Sequence, residues 1–142
     1  MLIICNILMM ILLILISISD IRGRRIPNAM LGMWLALIVI CRVVNENPIS
    51  MQSAVIGSLS IALFLLILSW IRPGAFGFGD VKLMLLAGIH LGLGVWYAFA
   101  IAIGFAAVFC LGGLILKRLT LKSTIPFGPF LCLGIGIIIV LG

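Results

Sequence analysis

Between Leu83 and Leu116 the chain carries no Asp, Glu, Lys or Arg. As one straight helix at 1.5 Å per residue this stretch would reach about 50 Å, well past the roughly 30 Å hydrocarbon core of a bilayer. It therefore has to break, and "GIHLGLG" (88–94) supplies the glycines for it. The expectation is a short helix from about Val81 to Ile89 or a little beyond, then a longer one from about Val95 to Leu116.

The rest of the chain has the same character. Of 142 residues, 65% are hydrophobic and 8% charged, with mean hydropathy +1.51. No water-soluble fold of this size hides so much apolar surface. The runs are unbroken and do not alternate, which selects helices over barrel strands. Met1–Ser19, Asn28–Val44, Met51–Ile71 and Ile125–Leu141 complete a set of six spans. Pro27 stands where a helix start tolerates proline, and Arg72-Pro73-Gly74 stops the third span. Met1–Ser19 lacks a basic leading region and a small-residue cleavage site, so it reads as a retained span. The expected architecture is an all-α polytopic integral membrane protein, residues 1–142 forming a single transmembrane domain.

The formal net charge is +6. The basic residues sit in short loops and form no stripe interleaved with aromatics, which points to membrane lipid and away from nucleic acid. With six spans, the loops after the first, third and fifth hold Arg22, Arg24, Arg25, Arg72, Lys82, Lys117, Arg118 and Lys122, against Arg42 alone on the other side. Lys and Arg in short loops stay cytoplasmic. This parity supports the hairpin between the fourth and fifth spans, since merging them would send Lys117, Arg118 and Lys122 outside. Trp70, Trp96 and Tyr97 fall near span ends, as interfacial aromatics do. Cys5, Cys41, Cys110 and Cys132 lie singly in different spans without a C-x-x-C pair, so they read as small packing residues and not as a zinc or redox site.

Three acids remain: Asp20, Glu46 and Asp80. Glu46 lies in the polar loop "RVVNENPIS" and reads as a solvated charge. Asp20 and Asp80 each abut an apolar span, both at the cytoplasmic edge, where ionisable groups are costly and tend to be functional. The alternative for each is an interfacial ion pair with Arg22, Arg24 or Lys82. In "GFGD", Gly77 and Gly79 allow unusual backbone angles and close approach of another segment. Asp80 is placed to cap the fourth helix, whose positive N-terminus favours an ionised carboxylate. Asp20 ends the first span, where the helix dipole has the opposite sense. On that basis Asp80 is the readier base and Asp20 the readier acid, an order that Arg22 and Arg24 can reverse. Two carboxylates sharing a proton titrate as a unit, and such a pair hydrolyses a peptide bond without a covalent intermediate. Nucleophilic schemes are poorly supplied: His90, the only histidine, is expected on the opposite side, away from Ser17, Ser19, Ser123 and Thr124, and alone it is a poor metal ligand.

"DIRGRRIPN" (20–28), "GFGDVKL" (77–83) and "IPFGP" (125–129), in this order between apolar spans, resemble the type IV prepilin peptidases, membrane aspartic proteases of the GxGD kind. The likeness covers nearly the whole chain. It implies that Asp20 and Asp80 are catalytic, with Gly77 and Gly79 shaping the second motif and no metal or organic cofactor. It also implies a substrate: the basic leader of a prepilin or pseudopilin, cut on the cytoplasmic side of its hydrophobic segment, typically after a glycine, in the inner membrane of a prokaryote. Larger members carry an N-terminal cytoplasmic insertion with paired cysteines, associated with N-methylation. Without that insertion the chain resembles the short, peptidase-only form. In the third motif Pro126 and Pro129 rigidify the start of span six and Gly128 permits close packing, so the segment either lines the site or only begins a helix. "GFAAVFCLGG" (104–113) reads as a helix-packing surface.

The expected function is thus a prepilin peptidase using Asp20 and Asp80, with Lys82 tuning or orienting Asp80 electrostatically. A small transporter or assembly subunit that uses the aspartates for protons or cations is the reading from another class. A protease of the same type acting on other membrane helices is a third. A basic leader is an odd guest for so basic a membrane face; anionic lipid or the two aspartates would have to offset those charges.

Overall fold

The computed structural model describes residues 2–23, 26–45, 49–73, 76–117 and 125–141. Arg24, Arg25, Glu46, Gly74, Arg118, Lys122, Ser123 and Thr124 lie outside the described residues. In lipid every backbone polar group must be satisfied within its own segment, and these apolar runs accordingly form helices. They are α1 (Leu2–Gly23), α2 (Asn28–Asn45), α3 (Met51–Ile71), α4 (Phe78–Leu91), α5 (Val95–Ile115) and α6 (Gly128–Leu141). The chain is an all-α polytopic membrane protein.

The ends of the helices follow local chemistry. Pro27 precedes α2, and its carbonyl accepts from Met30 N at 3.1 Å and Leu31 N at 3.4 Å, so proline stands just outside the helix that it starts. Ser50 caps α3 by accepting from Ser53 N at 3.2 Å. Arg72 closes α3 with its N–H on Leu68 O, and Pro73 prevents continuation. Three starts and stops differ from the sequence expectation. α4 begins at Phe78 and not Val81, with Gly77 at its cap and Asp80 inside its first turn. α1 runs on to Gly23, which takes Asp20 inside its last turn. α6 begins at Gly128 and not Ile125, because proline at 126 disfavours helical geometry in the residue before it, and Phe127 supplies the first acceptor carbonyl.

The 38-residue apolar stretch Phe78–Ile115 turns back on itself. Gly92 has φ of +59°, a left-handed conformation that glycine tolerates, and it leads into a single 3₁₀ turn, Gly92–Gly94. Contacts on either side fix the directions. Ser53 Oγ accepts from Leu93 N at 3.2 Å, Gly88 abuts the Ser58 backbone and Ser69 meets Phe76, so α4 runs antiparallel to α3. Beyond the turn Trp96 Nε1 donates to Ser60 Oγ at 3.1 Å and Phe64 packs edge-on to Trp96 and Phe99, so α5 retraces the direction of α3.

The remaining pairs extend the pattern. Gly134 seats against Ala98 and Ala102, and Phe109 against Phe130, making α5 and α6 antiparallel. Gly136 lies beside Met10, and Gly128 against Asp20, making α6 and α1 antiparallel. The helices therefore alternate up and down. α1, α3 and α5 finish at one end, and α2, α4 and α6 at the other. α4 is central, touching α2, α3, α5 and α6. The core runs through Leu83, Met84 and Ala87 of α4, Trp34 and Ile38 of α2, Ile61 and Leu65 of α3, and Leu131 and Ile135 of α6. Trp70 and Tyr97 are exposed near helix ends, as the interfacial reading expects.

Candidate active site

Asp20 and Asp80 are the buried charged side chains among the described residues, at 7% and 8% exposure. α1 delivers Asp20 from its last turn and α4 delivers Asp80 from its first. The alternation of helix directions puts both at the end of the bundle where α1, α3 and α5 finish. The two carboxylates lie close enough to interact electrostatically, and Cys132 of α6 interacts with both. α6 thus passes near both acids.

Each carboxylate is held by one backbone N–H. Asp80 Oδ2 accepts from Gly77 N at 3.2 Å, reaching back across the first turn of its own helix as an acid does in a capping box. Asp20 Oδ2 accepts from Gly128 N at 3.1 Å, a buried bond across 108 residues of sequence. Gly128 opens α6, so Asp20 also sits at a helix N-terminus. This removes the asymmetry behind the sequence-based order of acid and base: Asp20 is near the end of α1, but the start of α6 faces it. Among the described residues no ion pair engages either acid, and no donor reaches Oδ1 of either.

Gly79 and Gly128 act by space more than by backbone angle. Gly77 has φ of −76° and Gly79 is not left-handed, contrary to the unusual geometry expected of the motif. A Cβ on Gly77 would meet Asp80 Oδ2 at 3.6 Å, an ordinary contact. On Gly79 it would press on Ile26 at 3.1 Å, so this glycine lets the segment before α2 close over the start of α4. Gly128 is the tightest of the three, since a Cβ there would overlap the Asp20 carboxylate. The third motif therefore both begins a helix and lines the site, with Pro126 two residues outside the helix.

The basic residues take other places. Lys82 Nζ donates to Asn28 Oδ1 at 3.1 Å and ties α4 to the start of α2, where the sequence reading had it serving Asp80. Arg22 is exposed and pairs with neither acid among the described residues. At the other end Arg42 donates to Ile89 O at 2.8 Å, close to His90, so the histidine is indeed remote from the aspartates.

Sequence reasoning gives Cys132 only a packing role and assigns no role of their own to Ile26 and Asn28, which lie within "DIRGRRIPN". Cys132 was accessible to it, because it lies four residues after Gly128 and so on the same helix face. Cys5 and Cys41, read as solitary, lie beside each other where α1 starts and α2 ends. Far apart in sequence, they leave no local signal.

Comparison with known proteins bears on this geometry. The chain is 29% identical over 126 residues to the prepilin leader peptidase/N-methyltransferase of Bacillus subtilis (strain 168), an alignment covering 87% of this chain and 50% of that protein. The chain thus spans about half the length of this relative. No solved structure matches it. The pattern of the type IV leader peptidase family matches residues 7–116, a stretch that holds both aspartates, the "GFGD" motif and the turn between α4 and α5. The chain belongs to the type IV leader peptidase family.

Proposed function

We propose that this chain is a membrane aspartic endopeptidase that removes the basic leader from prepilins or pseudopilins. The observation that carries the reading is the pair of buried carboxylates, brought together from α1 and α4 and each held through one oxygen by a backbone amide. One ionised carboxylate takes a proton from water as it attacks the scissile carbonyl carbon. The other, protonated, donates a hydrogen bond to the carbonyl oxygen. The tetrahedral intermediate then collapses as the leaving nitrogen takes up a proton, and no bond to the protein forms. The amides of Gly77 and Gly128 hold the carboxylates in place through Oδ2, and among the described residues Oδ1 of each takes no donor.

Placement in the membrane follows from charge. Arg22, Arg72, Lys82 and Lys117 lie at the end that holds the aspartates, and Arg42 at the other. By the positive-inside rule the site faces the cytoplasm of a prokaryotic cell, where a leader not yet exported would meet it.

Asp20→Asn and Asp80→Asn test the reading. Each should lower cleavage of a prepilin by about 10²–10⁴-fold, the usual contribution of a positioned acid or base, while the protein still inserts. Full processing by either variant ends the proposal. A bell-shaped dependence of the rate on pH should accompany the wild type, because activity needs one carboxyl protonated and one ionised. Transport of protons or cations without cleavage would support the transporter reading instead.

A further inference from the structure

A lateral groove of about 360 Å³ lies between α1 and α6. Its walls are single helical stripes: Met10 to Ile18 on α1 and Pro129 to Val140 on α6, each at spacings of three and four residues. Leu13 and Cys132 form a buried floor, while Ile14, Leu133 and Val140 are exposed rims. The groove therefore opens sideways, toward the lipid. Its lining is almost wholly apolar, with Ser17 as the polar exception.

One end of this groove belongs to the candidate site. Ser17 lies one turn before Asp20, and Pro129 follows the glycine whose amide holds Asp20. Cys132, on the floor, interacts with the charge of both aspartates. From there the α6 stripe runs about 16 Å along the helices toward the opposite face of the membrane. Anything with a peptide bond at the aspartates and an apolar continuation across the bilayer has this channel directly in line. A basic leader has no partner in it.

We propose that the groove between α1 and α6 seats the apolar helix of the substrate on the carboxyl side of the cleaved bond, taking the side chains of one helix face. The proposal rests on the peptidase reading above. The shape suits it: the volume accommodates a row of aliphatic side chains and not a whole helix, and the lateral opening lets a membrane-embedded substrate enter without crossing water. The groove then serves as a positioning surface that sets which bond reaches the acids.

The test uses the whole protein in phosphatidylethanolamine/phosphatidylglycerol vesicles with two probes. One is a prepilin-type peptide of basic leader, glycine and about twenty apolar residues, enough to span the core. The other is truncated a few residues past the glycine. A photoreactive benzoylphenylalanine replacing Leu133 or Ile137 should crosslink to the apolar segment of the long peptide, and one replacing Val108 on the outer face of α5 should not. Ile137→Trp should raise KM for the long peptide about ten-fold with kcat nearly unchanged, and leave the truncated peptide unaffected. Crosslinks to lipid alone, or from position 108 as strongly as from 133, overturn the docking proposal, as does an unchanged KM. These outcomes are separable from failure of the peptidase reading, which shows as cleavage that survives Asp20→Asn, whatever the crosslinks report.

Discussion

α4 and α5 belong to one 38-residue apolar stretch, charged only at Asp80 and Lys82 near its start, and the fold treats them differently. In α4, 14 residues long, Asp80, Val81, Leu83, Met84, Leu86, Ala87 and Gly88 are buried. In α5, 21 residues long, burial is confined to Val95, Ala98, Phe99 and Ala102, and Phe105, Val108, Phe109 and Leu111 are exposed. Apolarity does not separate the two, because lipid accepts an apolar side chain as readily as the core does. What separates them is steric fit and polar anchorage. Gly88 lets α4 approach the backbone of α3, and Gly92 lets the turn after α4 close on the side chains of Ile49 and Ser53, whereas a Cβ on Gly104 or Gly112 of α5 would meet open space. Within "GFAAVFCLGG" the packing contact is Phe109 against Phe130 of α6, and neither Gly104 nor Gly112 seats a neighbour.

Swapping side chains at matched glycines is the sharpest way to break this contrast. Gly88→Leu should be the most damaging, because its Cβ already collides with the Ser58 backbone and neither helix can yield locally. Overpacking of this kind costs on the order of 3 kcal/mol, measurable as loss of resistance to unfolding in SDS titration. Gly104→Leu should stay within about 0.5 kcal/mol of wild type, as surface changes do. If Gly104→Leu proved equally harmful, α5 would have a partner on its outer face.

The same contrast explains what the sequence made legible. The need for a break followed from length and its place at 88–94 from the glycines, and the six helices from unbroken apolarity. Asp20 and Asp80 stood out because an acid beside a membrane span is rare. Which apolar residues form the core was hidden: Leu83 is fully buried and Leu93 is 51% exposed, although both belong to the same apolar stretch. Long-range pairings were hidden as well. Nothing near Asp20 announces that Gly128 will donate to it, and the dipole argument from α1 alone leaves out the start of α6, which faces Asp20. Lys82 adjoins Asp80 in sequence yet reaches Asn28, since a long flexible side chain goes to the acceptor that the fold brings near.

A smaller effect comes from the polar anchor of α5. Trp96 Nε1 donates to Ser60 Oγ at 3.1 Å, a bond between α5 and α3 in the stretch where α5 is still partly buried. Ser60→Ala removes the acceptor and should destabilise the protein by about 0.6 kcal/mol, the average for hydrogen bonds between membrane helices. The same SDS titration reads it. A loss several times larger would mean that α5 depends on this anchor more than on the aromatic contacts of Phe64 with Trp96 and Phe99.

The smallest change concerns the anchor of α4 to α2, and its value lies in separating two roles for Lys82. If the ammonium acts on Asp80 by charge, Lys82→Met shifts the pH dependence of cleavage and Asn28→Ala does not. If it acts by holding the start of α2 against α4, the two substitutions remove the same 3.1 Å bond and should behave alike. The structure favours the second, because Lys82 has Asn28 as its partner and Asp80 is already held by Gly77. The expected outcome is a fall in kcat of about two- to three-fold for both variants, equivalent to roughly half a kcal/mol, with the pH profile unmoved. The double variant should fall no further than either single one, since one bond cannot be lost twice.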